Sequence, residues 1–366
     1  MALKVREYSP QEFLESRDAW NSAVQESLDN NVFLTWEWLS AWWKHFGEKR
    51  DFLLVTLSDN RRIVAAAPLM TSVYAIFGFR IRKIELIGTP ASDYQSLLLT
   101  KRRPEYVRTL VEHAQRRVRH WDFVELSDIP EGWETSQMLA AALPEPMGFE
   151  REVIEVCPHV PLPRDFEGYL RTLNPHFLRE IRRRERRLKE DFDVDFEVVE
   201  GSEGVEDAMQ SIVMLHQERG LAKGHSGIFS DQSVLGFHLD VARSFAENGW
   251  LLVAFLKANG RRVAGLYNFR YANRVYCYLS GFDPGYSKYG LGSIIDLNLI
   301  EHCVKAGLKE YDFTRGEEPY KNQWNTQTRN NLRFTKTRKG LFPRLVKWVT
   351  RNDLLFGKLA RFARVA

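Results

Sequence analysis

The densest concentration of chemically capable side chains is the run Asp312-Phe313-Thr314-Arg315-Gly316-Glu317-Glu318-Pro319-Tyr320-Lys321. It begins in a short apolar stretch of strand length, so charged groups gather at a strand end. Such a placement is costly unless the groups are paired or used. In use, Glu317 can accept a proton from an amine and Tyr320 can give one to a leaving thiolate. Arg315 and Lys321 can steady a developing oxyanion or hold a phosphate. A solvated loop closed by a salt bridge is the plainer alternative. Upstream, Tyr286-Ser287-Lys288-Tyr289-Gly290-Leu291-Gly292-Ser293-Ile294 opens a long helical segment. Glycines at a strand-to-helix junction let backbone approach a ligand. A helix start adds unpaired N–H groups and partial positive charge, which suit a phosphate. The pattern is neither a Walker A loop nor a GxGxxG fingerprint, and a plain glycine turn also fits it.

The elements that must position these residues occur twice. Residues 51–69, DFLLVTLSDNRRIVAAAPL, echo 250–269, WLLVAFLKANGRRVAGLYNF. Each has a β-rich run, a turn at Asn60 or Asn259-Gly260, two arginines and a second apolar run, which is a hairpin signature. Downstream, 111–125 (VEHAQRRVRHWDFVE) echoes 300–314 (IEHCVKAGLKEYDFT), a helix-period segment leading into an aromatic-Asp-Phe strand. Two matches in the same order imply a tandem duplication. Three prolines in PHVPLP, 158–163, are expected to break regular structure and mark the boundary.

In copy one, 37–46 and 104–119 read as helices, and 51–70, 83–88, 94–99 and 122–126 as strands. In copy two, 165–173 reads as a short helix. A longer helix starts at Asn174-Pro175, an N-cap followed by proline at the first helical position. Its apolar face is Leu173, Phe177, Ile181, Leu188 and Phe192. Helices are expected at 205–219, 233–248 and 293–306. Strands are expected at 194–199, 250–256, 262–270, 274–280 and 310–314. The pattern is α+β: two tandem units, each a mixed, mostly antiparallel sheet flanked by helices. The expected divisions are 1–157, a linker at 158–163, 164–340 and a tail at 341–366. Copy one has no glycine in 97–105, where copy two has its turn, so its unit is expected to lack the phosphate site.

The bulk composition excludes several classes. With 44% apolar and 27% charged residues, the chain is neither disordered nor collagen-like. Its three cysteines, Cys157, Cys277 and Cys303, show no metal-ligand spacing and read as buried, reduced thiols, so no metal is expected. A sparse, odd cysteine count, no leader-like start and no membrane-length apolar run point to the cytoplasm. The net charge of +4 is unevenly placed, because residues 329–366 hold eleven Lys or Arg and one Asp. In 343–365 these basic residues accompany Leu345, Trp348, Leu355, Leu359 and Phe362 at roughly helical spacing. That tail has the character of a helix lying on an anionic membrane surface, here the inner face, or packing on the body. The run REIRRRERRLK, 179–189, reads as a solvated helix face with internal Glu–Arg pairs or as a grip on phosphates. It lacks the interleaved aromatics of a single-strand nucleic-acid binder.

Together, the strand meander, the glycine turn opening a helix and the following strand resemble the acyl-CoA-binding core of the GNAT acyltransferase superfamily. The turn Ser287-Lys288-Tyr289-Gly290-Leu291-Gly292 keeps both glycines of that family's Q/R-x-x-G-x-G/A pattern, with Ser in the first place. Over most of its length the chain looks like the CelD-like branch, named for cellulose-biosynthesis acetyltransferases. The matching parts are Phe33-Leu34-Thr35-Trp36-Glu37-Trp38 with Trp42-Trp43, Leu215-His216 with Arg219-Gly220, Gly281-Phe282-Asp283, and the 312–321 block. That branch is similar to the Fem-type peptidoglycan aminoacyltransferases, which also carry two tandem GNAT-like units.

The resemblance implies direct acyl transfer from acetyl-CoA or another acyl-CoA to an amine, without an acyl-enzyme. It assigns Lys288, Tyr289, Gly290, Leu291, Gly292 and Ser293 to the CoA pyrophosphate. Glu317 or Asp312 becomes the base, Tyr320 the acid and Arg315 a catalytic partner. Asp312 has a second role open to it, positioning the loop, because copy one keeps Asp122 without the glycine turn. His216, Arg219, Lys321 and Asp283 become acceptor-site groups. The expected acceptor is an amino sugar, an amino acid or a surface-polysaccharide precursor. Two alternatives remain: a Fem-type transferase using aminoacyl-tRNA, the one reading with a nucleic-acid partner, and a catalytically silent GNAT-like accessory protein of polysaccharide biosynthesis.

Overall fold

The two copies fold into sheets with the same succession of strands. The structure, a computed structural model, describes residues 3–60, 62–76, 79–224, 226–338 and 340. The basic tail expected over 341–366 lies outside the described residues. The chain forms two compact units: unit 1 is the chain up to Glu155 plus the described residues from Asn330 on, and unit 2 is Val156–Arg329.

Unit 1 begins with β1 (Lys4–Tyr8), α1 (Pro10–Leu14), α2 (Arg17–Gln25) and α3 (Trp36–Phe46). There follow β2 (Arg50–Asp59), β3 (Arg62–Ile76), β4 (Phe79–Leu86) and β5 (Leu98–Leu99). Then come α4 (Pro104–Arg117), β6 (Phe123–Pro130), α5 (Glu134–Ala142) and the start of β7 (Phe149–Pro161). Unit 2 takes the rest of β7 and adds α6 (Phe166–Thr172), α7 (Pro175–Asp191), β8 (Val194–Val199), α8 (Val205–Ala222) and α9 (Gln232–Glu247). It continues with β9 (Leu251–Ala258), β10 (Arg261–Tyr271), β11 (Arg274–Phe282), α10 (Leu291–Lys305) and β12 (Glu310–Asp312). The last strand, β13 (Gln327–Thr337), returns to unit 1.

In unit 1 the strands lie in the order β1-β2-β3-β4-β6-β13. The first three pairings are antiparallel, β4–β6 is parallel and β6–β13 is antiparallel. In unit 2 the order is β8-β9-β10-β11-β12-β7, again with three antiparallel pairings, a parallel one and an antiparallel one. The expected duplication and the mixed, mostly antiparallel sheets are therefore both present.

The sixth strands differ from expectation. Residues 158–163 do not break regular structure throughout, because β7 runs on to Pro161. Pro158 is tolerated because the ladder uses its carbonyl, which accepts from Phe313 N at 3.0 Å. The second half of β7 completes the sheet of unit 2, and β13, from the far end of the chain, completes that of unit 1. The segment 94–99 is strand only at Leu98–Leu99.

Capping and periodicity explain the helices that hold the site. Asn174 caps α7 through Oδ1, which accepts from His176 N at 2.8 Å and Phe177 N at 3.4 Å. Ile181 and Leu188 are buried on the expected apolar face, in a core shared with Val263, Ile294, Leu299 and Trp324. Each fully buried aliphatic side chain of this kind stabilises by about 1.5–3 kcal/mol. The Trp-rich α3 serves the core of unit 1. Thr35 caps it, Trp38 Nε1 donates to Ser92 Oγ at 2.8 Å, and buried Glu37 is paired with Arg17 at 2.9 Å.

Candidate active site

The parallel strands of unit 2 part company within their length. β11 and β12 pair from Arg274–Glu310 to Tyr276–Asp312, and the pairing stops while β11 continues to Phe282. Thr314, at φ +54°, turns the chain away from the sheet, and its Oγ1 donates to the carbonyl of Cys277 at 2.9 Å. A bulge on β11, where Tyr267 pairs with Leu279 but Asn268 with Cys277, leaves Tyr278 as the extra residue. Beyond the parting lies a cavity of about 570 Å3. Its walls are residues 277–282 of β11, His216 and Arg219 of α8, the start of α10 and the loop after β12.

The glycine turn forms one wall. Asp283 caps a 3-10 turn, Pro284–Tyr289, by accepting from Gly285 N at 2.8 Å, and its other oxygen accepts from Arg261 at 2.9 Å. Gly290 then takes φ +64°, a conformation that favours glycine. A Cβ there would also meet Arg184 Nη1 at 2.7 Å. Gly290 caps α10 without a side-chain hydrogen bond. Ser293 N donates to the carbonyl of Gly290 at 3.2 Å, while the N–H groups of Leu291 and Gly292, at the very start of α10, have no helix carbonyl to accept them. A Cβ on Gly292 would meet nothing within 4 Å, so the backbone there is open to a ligand. Gly290, Leu291, Gly292 and Ser293 line the cavity. Lys288 and Tyr289 do not; the Tyr289 ring is buried, its hydroxyl bonds to Asp191 and Lys288 Nζ lies 4.8 Å from its ring centre. An uncapped fifteen-residue helix with an open glycine and Arg184 beside it fits a pyrophosphate.

Two carboxylates line the cavity, Glu318 of the loop after β12 and Asp296, which the motifs did not single out. Asp296 of α10 lines the cavity at 7% exposure, and Tyr311 Oη donates to its Oδ1 at 2.9 Å. Burial pushes its carboxyl up to about 7, against the lowering effect of the Tyr311 hydrogen bond and of Lys321 and Arg219. Cys277, half-buried on the same wall, has its thiol pushed well above the ordinary value by burial and by the Asp296 charge. A thiol so protonated is a poor nucleophile. Tyr320 lines the cavity and is 43% exposed; burial of its phenol, with Asp296 and Glu318 nearby, raises its pKa above the usual tyrosine value.

The remaining expected residues divide by position. Arg315 and Lys321 line the cavity, but Lys321 is buried and its ammonium is committed to the loop. It donates to the carbonyls of Phe313, Arg315 and Gly316 at 3.1, 2.8 and 3.2 Å and pairs with Glu318 at 2.9 Å. Glu317 is exposed and does not line the cavity. Asp312 is fully buried outside the lining; its Oδ1 accepts from Thr314 N at 2.8 Å and its Oδ2 from Arg329 at 2.7 Å. These bonds tie it to the start of the loop and to β13. Asp283 caps its turn and also lies outside the lining. Asp296 and Glu318 are thus the carboxylates that line the cavity, and neither Glu317 nor Asp312 does. The signal for Asp296 was present in Ser293-Ile294-Ile295-Asp296-Leu297-Asn298-Leu299-Ile300, where one acid interrupts an apolar helix.

Residues 175–322 match the family described as Acetyltransferase (GNAT) domain. This segment is a GNAT acetyltransferase domain. It contains every residue that lines the cavity. The fold of the whole chain is similar to that in the crystal structure of FemX, with a TM-score of 0.64 at 10% identity over 94% of this chain and 99% of that one. It is similar to the C-terminal domain of a putative lysylphosphatidylglycerol synthetase from Agrobacterium fabrum, at 0.57 and 14% over 94% and 97%. It is also similar to a tandem GNAT protein from the clavulanic acid biosynthesis pathway, at 0.50 and 11% over 93% and 100%. No curated protein matches the chain. The fold is a tandem GNAT-like arrangement, and the GNAT domain of unit 2 holds the cavity.

Proposed function

We propose that unit 2 transfers an acyl group from acyl-CoA to a primary amine. The observation that carries this reading is one cavity walled by both the open glycine start of α10 and the buried, elevated carboxyl of Asp296. Bound acyl-CoA would supply the thioester whose carbonyl the amine attacks. The N–H groups of Leu291 and Gly292 and the Arg184 guanidinium would hold its pyrophosphate. Asp296, half ionised near neutral pH, takes the proton from the incoming ammonium or amine. Tyr320 keeps its proton and donates a hydrogen bond where negative charge grows on sulfur. Its raised pKa makes it a stabiliser rather than a strong acid. Cys277 stays a thiol, which favours direct transfer over an acyl-cysteine. Unit 1 has no part in donor binding in this scheme. The acceptor falls in the class expected above, an amino sugar, an amino acid or a polysaccharide precursor as in the CelD-like branch.

Calorimetry with acetyl-CoA tests the donor. Gly292→Val places its side chain in open space, so the fold and its melting temperature are expected to be kept. The expected loss of affinity is about a hundredfold, equivalent to roughly 2.7 kcal/mol. Undiminished binding would remove the glycine turn from the donor site. A second reading, with aminoacyl-tRNA as donor, draws on the exposed Arg179, Arg182 and Arg186 of α7 beside that turn. It requires tRNA binding that weakens steeply with salt.

A further inference from the structure

On its α8 wall, the cavity holds a cation that has no ion-pair partner. Gly281 lets α8 lie directly against β11, since a Cβ there would meet His216 N at 2.4 Å and Leu215 C at 2.6 Å. That close approach brings the last turns of α8 to the cavity. His216, Arg219 and Lys223, at helical spacings of three and four, all line it. Arg219 is fixed in place: its Nη1 donates to Ser280 Oγ at 2.6 Å and to Ser280 O at 3.3 Å, and its guanidinium stacks on Phe282 at 4.7 Å.

Among the described residues no carboxylate lies within ion-pair distance of Arg219, and its Nε and Nη2 donate to no acceptor. Several other arginines and lysines of unit 2 in buried or half-buried positions are neutralised. Lys321 has Glu318, Arg184 has Glu180 at 2.8 Å, Arg262 has Glu197 at 2.9 Å, and Arg329 has Asp312 at 2.7 Å. A half-buried guanidinium held rigid without a counter-charge is costly, and an oxyanion ligand removes the cost. The donor's phosphates do not account for it, because the glycine turn and Arg184 serve them on α10 and α7, whereas Arg219 stands on α8 against β11. Its charge reaches the reacting groups, since it is felt at both Asp296 and Tyr320.

Resting on the acyl-CoA-to-amine reading above, we propose that the acceptor carries an oxyanion, a carboxylate or phosphate, close to the amine that is acylated, and that Arg219 binds it with Lys223. The fork of Nε and Nη2 fits either anion in a bidentate manner. The acceptor class narrows accordingly to amino acids or phosphorylated amino sugars, and neutral amines are poor acceptors.

The test uses the full chain saturated with CoA and two matched pairs of acceptors: glycine against glycinamide, and glucosamine 6-phosphate against glucosamine. Calorimetric affinity is read for all four, and initial rates with acetyl-CoA are read beside it. The anionic member of at least one pair is expected to bind about tenfold or more tightly than its neutral partner. A preference within the first pair identifies a carboxylate, and within the second a phosphate. Arg219→Gln is expected to abolish the preference by raising KM for the anionic acceptor, with acetyl-CoA affinity unchanged. Equal binding within both pairs overturns the proposal, and so does a preference that survives Arg219→Gln. Acetyl-CoA affinity, measured in the same samples, separates this failure from a failure of the donor assignment.

Discussion

After β4, unit 1 lays residues 87–100 back across its own sheet, whereas after β11 unit 2 turns through glycines straight into α10. In unit 1, Ile87 N donates to Pro68 O at 2.8 Å, Thr100 N to Val64 O at 3.1 Å, and β5 pairs with β3. Ile87, Ala91, Tyr94 and Leu97 are buried along this segment, at 0–2% exposure. The parallel pairs differ as well. In unit 1, Glu85 and Glu125 sit opposite each other across β4–β6, and Lys83 bridges them at 2.9 and 2.6 Å. Burial alone would depress the lysine, but Glu125 and Glu85 outweigh it and hold the ammonium well above its usual pKa. In unit 2 the pair opens, and the gap holds Asp296 near neutrality. One sheet design thus supports a closed version, filled by side chains and an ion-pair cluster, and an open version with glycine backbone lining a cavity.

The sharpest way to break this contrast is Asp296→Asn. The rate constant kcat is expected to fall about a hundredfold or more, with acetyl-CoA affinity unchanged. In the wild type, kcat/KM should rise with pH and level off above about 7, and that limb should vanish in the variant. The stability sign follows from the raised carboxyl. The folded chain keeps the Asp296 proton between 3.8 and about 7, where the unfolded chain has lost it. Its contribution to stability therefore falls as pH rises through about 7. At pH 8, Asp296→Asn should melt no lower than the wild type, and a large drop would make Asp296 structural.

In unit 1 the counterpart change should act on stability alone. Lys83→Met leaves buried Glu85 and half-buried Glu125 without the ammonium that bridges them and is expected to cost about 3–5 kcal/mol in denaturant unfolding. Acetyl-CoA affinity should be unchanged; a concurrent loss of affinity would give unit 1 a role in the site. Smaller still is Leu97→Ala, a cavity in the closed segment, expected to cost about 2–4 kcal/mol with unchanged turnover.

The duplicated hairpins, the helices ending at 117 and 305 and the aromatic-Asp-Phe strands were legible because local pattern determines them. The glycine turn was legible for the same reason, and Gly290 needs its left-handed backbone. The carboxyl proposed as the base was not. The raised pKa of Asp296 arises through burial, against the opposing hydrogen bond from Tyr311, and both come from other elements, while Glu317 looked chemical from its neighbours alone. Likewise Lys321 looked free in sequence, and the fold gives its donors to three carbonyls. The sixth strands were missed because proline content argued against β7, and nothing near β13 in sequence says which sheet it joins.

The placement of β13 has a consequence for how the protein is made. The sheet of unit 1 gains its sixth strand only from residues after Asn330. A chain emerging from the ribosome must therefore synthesise all of unit 2 before unit 1 can close, and until then β6 presents an unpaired edge. Cutting at the proline-rich segment would leave each half with an open sheet, so a duplicated sequence has become a single obligate folding transaction.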